Sequence, residues 1–285
     1  NKINDIKKEI DDLEKSKNKK LEEINEQEKR KASLDAEVRV QTEKIKSIGA
    51  MPVEAFDSLN KIVFTPLEKS REKISEKEAL ENLYQLTEKR GFEFPKRLQN
   101  AFHTSLKTSD TSCLTVMAGV SGTGKSAFPK MYAESMGFYF LPLAVEPRWD
   151  SPQDLFGFLN YMENRFESTT LARSLTQFND SPHSNENANL KDNLLIVMLD
   201  EMNLARIEYY FSEFLSKLEM RRNANLNDIK DYRTVSTEIY AGTEEEEGIE
   251  NNEPIFLYAG YNILFVGTMN EDETTQSLSD KVIDR

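Results

Sequence analysis

The run Cys113-Leu114-Thr115-Val116-Met117-Ala118 leads directly into Gly119-Val120-Ser121-Gly122-Thr123-Gly124-Lys125-Ser126. An apolar segment of strand character, a loop of the form GxxxxGK[ST] and then helical sequence make up the context in which that pattern cradles phosphate. The glycines let successive backbone N–H groups of residues 119–124, including those of Val120, Ser121 and Thr123, curl around phosphate oxygens. Lys125 adds a point charge at the β/γ-phosphates, and the Ser126 hydroxyl is a Mg²⁺ ligand. The helix that follows turns its positive N-terminus toward the same anion. A nucleoside triphosphate, ATP or GTP, together with Mg²⁺ is the expected ligand.

Working outward, strands and helices alternate. Ser126 to Met136 reads as the helix after the loop, with Pro129 removing an intrahelical bond and bending its first turn. Gly137 to Val145 is aromatic and β-branched enough for a second strand, Leu194 to Leu199 is a third, and Asn262 to Val266 a fourth. Such alternation predicts a parallel sheet flanked by helices. The third strand ends in Asp200-Glu201. Ligands bind outside the carboxyl ends of parallel strands, so both acids are expected beside the phosphate loop. Asp200 is assigned to Mg²⁺ alongside Ser126, and Glu201 to polarising an attacking water. The fourth strand runs into Gly267-Thr268-Met269-Asn270, which brings the Asn270 amide to the same edge, where it can bond both that water and a γ-phosphate oxygen; the bland alternative is a turn asparagine. Asn203 reads as the cap of the helix that follows it. That helix shows Leu204, Ile207, Phe211, Phe214 and Leu218 on one core-facing stripe.

Before this region, residues 1–48 hold one heptad register. Its seams are Ile3, Ile10, Lys17, Ile24, Lys31, Val38, Ile45 and Ile6, Leu13, Lys20, Gln27, Leu34, Gln41, Ile48. A seam period of 3.5 residues argues for a left-handed coiled coil of about 70 Å; the alternative is a single solvated helix. Gly49-Ala50-Met51-Pro52 ends it. Residues 53–75 read as linker, helical periodicity resumes through Ala79, Leu80, Leu83, Tyr84 and Leu86, and a short helix covers Leu98 to Leu106. Domain bounds are thus 1–48 coiled coil, 49–90 linker and helix, and 91–285 nucleotide-binding core. Ser181 to Asn193 is a polar loop. Glu238 to Glu253 is an acidic hairpin tip or loop, a solvated surface or a contact for a basic partner.

The formal net charge is −13, and the near-balanced first 48 residues leave the acidic excess in the remainder. A broad basic face for nucleic acid is therefore not supported, although a local basic loop fits. No apolar run reaches the ~18 residues needed to span a bilayer. The single cysteine, Cys113, has no partner for an internal disulfide, which points to a reducing, cytoplasmic setting.

Taken together, residues 90–285 resemble the AAA+ ATPases, in the branch of McrB-like restriction motors, MoxR-like ATPases and dynein-related domains. The specific motifs are Asp200-Glu201-Met202-Asn203-Leu204-Ala205, Gly267-Thr268-Met269-Asn270 and Val282-Ile283-Asp284-Arg285. Trp149-Asp150-Ser151-Pro152-Gln153-Asp154-Leu155-Phe156-Gly157 looks like the insertion after that branch's second strand, or a structural turn. The resemblance implies a homo-oligomeric ring, usually a hexamer, with Arg285 as an arginine finger on the next subunit's site; the alternative is a surface arginine paired with Asp284. It also implies a motor acting on nucleic acid with a nuclease subunit, or alternatively a chaperone that remodels proteins; a coiled-coil scaffold with a nucleotide switch ranks below both. After Asn270 the chain reads Glu271-Asp272-Glu273-Thr274-Thr275, unlike the stretch McrB-like GTPases carry there, so ATP is expected before GTP. The family's fifth strand and helical lid are expected beyond Arg285, which makes this α/β core truncated.

Overall fold

The computed structural model describes residues 53–66, 74–163, 165–240 and 253–271. The expected coiled coil at 1–48, the acidic tip at 241–252 and the Val282-Ile283-Asp284-Arg285 motif lie outside them. Four apolar runs form one parallel sheet: β1 (Leu114–Gly119), β2 (Tyr139–Ala144), β5 (Leu195–Asp200) and β8 (Ile263–Asn270), in the order β1-β8-β5-β2. Parallel pairs need crossovers, and the intervening helices supply them while covering the sheet. The central strands β5 and β8 are buried almost throughout, whereas β1 and β2 at the edges are half-exposed.

Register places the functional ends together. Gly119 pairs with Asn270, Leu199 with Gly267 and Ala144 with Asp200, so the strand ends come level along one rim of the sheet. The first three expected strands are found within one or two residues of their expected bounds, while β8 continues past Val266 to include Asn270 itself.

Three helices build the face next to the phosphate loop: α1 (Glu76–Lys89), α2 (Lys96–Lys107) and α3 (Ala127–Met136). Ser75 caps α1 by accepting from the Glu78 N–H at 3.2 Å. Leu83, Phe102, Leu106, Phe128, Met131 and Tyr132 pack with Ile196, Leu264 and Val266 of the sheet into one core. Polar ties lock α1 onto α3: Arg90 donates twice to Glu134, and Ser135 Oγ donates to the Ala79 carbonyl at 3.0 Å. Pro129 is the third residue of α3. It falls in the first turn, where the Ala127 and Phe128 N–H groups donate to the Gly124 carbonyl and the proline, with no N–H, does not extend that series.

The segment 53–66 is more than a linker. Residues Val53–Asn60 form a 3₁₀ helix, and Ala55, Phe56 and Leu59 are buried. The Phe56 ring stacks on Phe166 with centroids 5.8 Å apart. Ser58 Oγ donates to the Phe166 carbonyl at 2.5 Å, and Gln177 Oε1 accepts from the Val63 and Phe64 N–H groups. Sequence periodicity is too short there to reveal burial; the partners come from residues more than 100 positions away.

Two antiparallel hairpins decorate the sheet. One, β3 (Gly157–Asn160) with β4 (Arg165–Ser168), follows the short helix α4 (Gln153–Phe156) after β2. Asp154 accepts from the Asp150 and Ser151 N–H groups, which fixes the turn into it. The other, β6 (Thr237–Tyr240) with β7 (Ile255–Leu257), flanks the acidic stretch, so Glu238 belongs to a strand and not to the loop. After α5 (Thr170–Gln177), residues 178–194 carry no helix or strand, as their polar composition suggests.

At the opposite rim, where the strands begin, Arg221 is buried at 4% exposure. Its Nη1 donates to the Ala259 and Gly260 carbonyls at 2.8 and 2.6 Å, and its guanidinium lies 4.4 Å from the Tyr261 ring centroid. Cys113 is buried beside it; burial pushes the thiol pKa up, and the Arg221 charge opposes that shift.

Candidate nucleotide site

The loop after β1 is shaped by glycine. Gly119, Gly122 and Gly124 have φ of 151°, 81° and 85°, the left-handed half of conformational space where a Cβ is strained. At Gly124 space forbids a Cβ as well, since it would run into the rings of Phe94 and Phe92. Those rings stack on each other at 5.5 Å and 5°. Lys125 Nζ donates to the Gly119 and Val120 carbonyls at 2.9 and 2.6 Å, which holds the ammonium against its own loop. Thr123 Oγ1 closes the turn by donating to the Val120 carbonyl. A cavity of about 510 Å³ adjoins Thr123 and Lys125, with Phe94, Leu98, Phe102 and Met117 in its walls.

The acidic pair meets the loop across the rim. Asp200, the last residue of β5, accepts at Oδ1 from Ser126 Oγ at 2.6 Å. The same Oδ1 accepts from Thr268 Oγ1, also at 2.6 Å. Glu201 is the one non-glycine residue with positive φ among the described residues, at φ 54° and ψ 47°. Its Oε1 accepts from Asn270 Nδ2 at 3.1 Å. Lys125, Ser126, Asp200, Glu201 and Asn270 therefore gather at one place, as their sequence positions predict. Arg285 lies outside the described residues.

Three contributors were not anticipated. Thr268, 1% exposed, joins both acids through its side chain. Beyond its place in the Gly267-Thr268-Met269-Asn270 motif, its sequence signal is alternation, because residues two apart on a strand share a face and Asn270 is on that face. Asn203 does not cap a helix: it lies in the 3₁₀ turn Met202–Leu204, is buried, and donates from Nδ2 to the Asn270 carbonyl at 2.9 Å. Tyr210 is buried and donates to the Met202 carbonyl at 2.8 Å; desolvation drives its pKa well above the ordinary tyrosine value. The helix expected after Asn203 is broken into α6 (Ile207–Tyr210) and α7 (Ser212–Met220). Leu204 leaves the core stripe for the surface, while Ile207, Phe211, Phe214 and Leu218 stay buried.

A Mg²⁺–nucleoside triphosphate fits these groups. The Ser126 hydroxyl and Asp200 carboxylate are hard oxygen donors already in mutual contact, and Mg²⁺ is typically bound through one or two protein oxygens with phosphate and water completing the shell. Among the described residues no cluster of three His, Cys, Asp or Glu side chains converges to hold a metal without such help. Nor is any helix among them long and apolar enough to cross a membrane.

No protein-family model and no curated protein matches the chain. Among solved structures it is similar to a "putative ATPase" from Cytophaga hutchinsonii, at 15% identity and a TM-score of 0.35, over 73% of this chain and 49% of that one. The chain thus spans about half the length of that protein. In its own right, the strand order, the glycine loop and the acidic strand end make an α/β fold of P-loop NTPase type.

Proposed function

We propose that the chain is the catalytic core of a Mg²⁺-dependent nucleoside-triphosphate hydrolase of the AAA+ class, using ATP before GTP. The observation that carries this reading is the convergence of Ser126 on Asp200 at 2.6 Å and of Asn270 on Glu201 at 3.1 Å, on the rim that also holds the glycine loop. Lys125 and the loop N–H groups bind the β- and γ-phosphates. Ser126 and Asp200 hold Mg²⁺, which when bound neutralises charge on the phosphate oxygens. Glu201 takes a proton from the attacking water as its oxygen forms a bond to the γ-phosphorus and the bond to the β–γ bridging oxygen breaks. Asn270 holds the Glu201 carboxylate through one oxygen, so that the other faces the water.

The finer reading rests on the motifs in the sequence. Subunits form a ring, Arg285 completes the neighbour's site, and the motor moves nucleic acid for a nuclease subunit. In the full-length protein, Glu201→Gln should keep nucleotide affinity and lose roughly 10²-fold or more in turnover, while Lys125→Ala loses the affinity itself. Wild-type turnover in Glu201→Gln would refute the assignment. Mixing Lys125→Ala with Arg285→Ala subunits should restore part of the activity; mixed rings that stay inactive would rule out a finger acting in trans. Stimulation of turnover by duplex DNA is the expected sign of a nucleic-acid motor. Stimulation by unfolded protein alone would replace it with a protein-remodelling role.

A further inference from the structure

The backbone ladder between β5 and β8 ends at the pair Leu199 and Gly267. Both acids lie just past that point; Asp200 is still paired with Ala144 of β2, but on the β8 side the ladder holds neither acid. What continues the connection is the side chain of the next residue on β8. Thr268 Oγ1 donates to Asp200 Oδ1 at 2.6 Å and accepts from the Glu201 N–H at 2.9 Å. One hydroxyl supplies one proton and a lone pair, and both are used, on two consecutive residues with different chemical tasks.

Glu201 has particular need of such a tie. A left-handed conformation costs a non-glycine residue about 1–2 kcal/mol, so something must hold it there. The turn after it contributes, through the Leu204 N–H donating to the Glu201 carbonyl at 2.9 Å. Thr268 holds the other side of the same residue, at its N–H. The neighbouring glycine also has a reason: Gly267 leaves room for the fully buried Met202 side chain, which a Cβ would displace. Thr268 itself is 1% exposed, so its hydroxyl sits in a packed position.

We infer that Thr268 is a positioning residue that sets the metal-side carboxylate Asp200 and the water-side residue Glu201 in one fixed mutual geometry. This rests on the hydrolase reading above. Thr268→Val keeps shape and β-branching while removing both bonds. It leaves the Glu201 N–H unpaired and Asp200 with Ser126 as its remaining hydroxyl donor of the two.

The test uses the full-length protein with ATP and titrated Mg²⁺. Thr268→Val should bind nucleotide within about 3-fold of wild type, lose about 10- to 100-fold in kcat, and need more Mg²⁺ for half-maximal turnover, on the scale of two lost buried hydrogen bonds. Thr268→Ser restores the hydroxyl and should recover at least about a third of wild-type kcat. A purely structural threonine would instead lower the melting temperature without separating kcat from KM or shifting the Mg²⁺ requirement. If Thr268→Val does not fold, Thr268→Cys, close in size to Ser but a poor hydrogen-bonding group, takes its place against Thr268→Ser. Equal kcat and equal Mg²⁺ requirement in that pair, or wild-type values in Thr268→Val, overturn the inference. A wild-type protein that hydrolyses no nucleotide would overturn the hydrolase reading itself.

Discussion

The two rims of the same sheet are both polar, yet they are wired differently. Where the strands begin, Arg221 is buried and bonds to the backbone carbonyls of Ala259 and Gly260. Asn262 likewise spends its amide on the Phe178 and Lys191 carbonyls. Where the strands end, backbone bonds such as that of Asn203 to the Asn270 carbonyl are joined by a chain of bonds between side chains: Ser126 and Thr268 to Asp200, and Asn270 to Glu201. Bonds between side chains are the minority class in folded proteins. A buried side chain tied to backbone is committed to the fold, whereas a pair of side chains at a partly open rim can exchange one partner for a phosphate or a metal. One rim holds the chain together and, on the proposed hydrolase reading, the other is free to do chemistry.

The strongest way to break that comparison is a crossed pair of substitutions. Ser126→Ala should cut Mg²⁺-dependent turnover by about 10²-fold, the order expected for losing a group that acts on the transition state, with stability shifted by under about 0.5 kcal/mol. Arg221→Met should do the reverse. Two buried carbonyls lose a charged donor, which costs about 2–4 kcal/mol of stability, while nucleotide affinity stays at the wild-type value. Chemical denaturation and a nucleotide titration on both variants read this out. If Arg221→Met impaired binding without changing stability, the division between the rims would be wrong.

Asn203 sharpens the boundary because it is buried at the reactive rim yet bonds to backbone. By the argument above it belongs to the fold, but what it holds is Asn270. Asn203→Ala should therefore lower kcat by about 10-fold, worth about 1.4 kcal/mol, with KM within a factor of about 2. Steady-state kinetics decide it, and an unchanged kcat would leave Asn270 positioned by β8 alone.

The smallest effect lies on the helix face away from the reactive rim. Glu76 accepts from Lys107 Nζ at 2.9 and 3.0 Å and contacts His103 Nε2 at 2.8 Å. The Lys107 bond first, then the His103 contact, lowers its pKa below the ordinary 4.5. A carboxylate with a depressed folded pKa contributes its stabilisation above the unfolded value and loses it as pH falls through the folded value. The difference in Tm between wild type and Glu76→Gln should therefore shrink toward zero on acidification below pH 4.5. A difference that grows in acid would show that Glu76 is stabilised in its protonated form.

Much of the architecture is legible in the residues alone. The apolar run before Gly119, the helical stretch after Ser126 and the apolar strand ending in Asp200-Glu201 each announce an element through local chemistry. Local chemistry is also enough for Lys125, Ser126, Asp200, Glu201 and Asn270, because parallel strands deliver their C-terminal residues to one rim. Reading fails where a residue's partner is remote. Nothing near Ser58 or Phe56 tells of Phe166, and nothing near Asn203 tells of the Asn270 carbonyl.

The same boundary runs through the site. From its sequence, this chain is committed to a glycine loop of the GxxxxGK[ST] form, to a parallel sheet and to the identity of the acids, since backbone propensity, glycine conformation and hydrophobic patterning act over a few residues. Strand order, the left-handed turn at Glu201, and the capture of two acids by one threonine hydroxyl come only from folding. They depend on β8 lying between β1 and β5, a juxtaposition of segments some 70 and 150 residues apart that no local periodicity encodes.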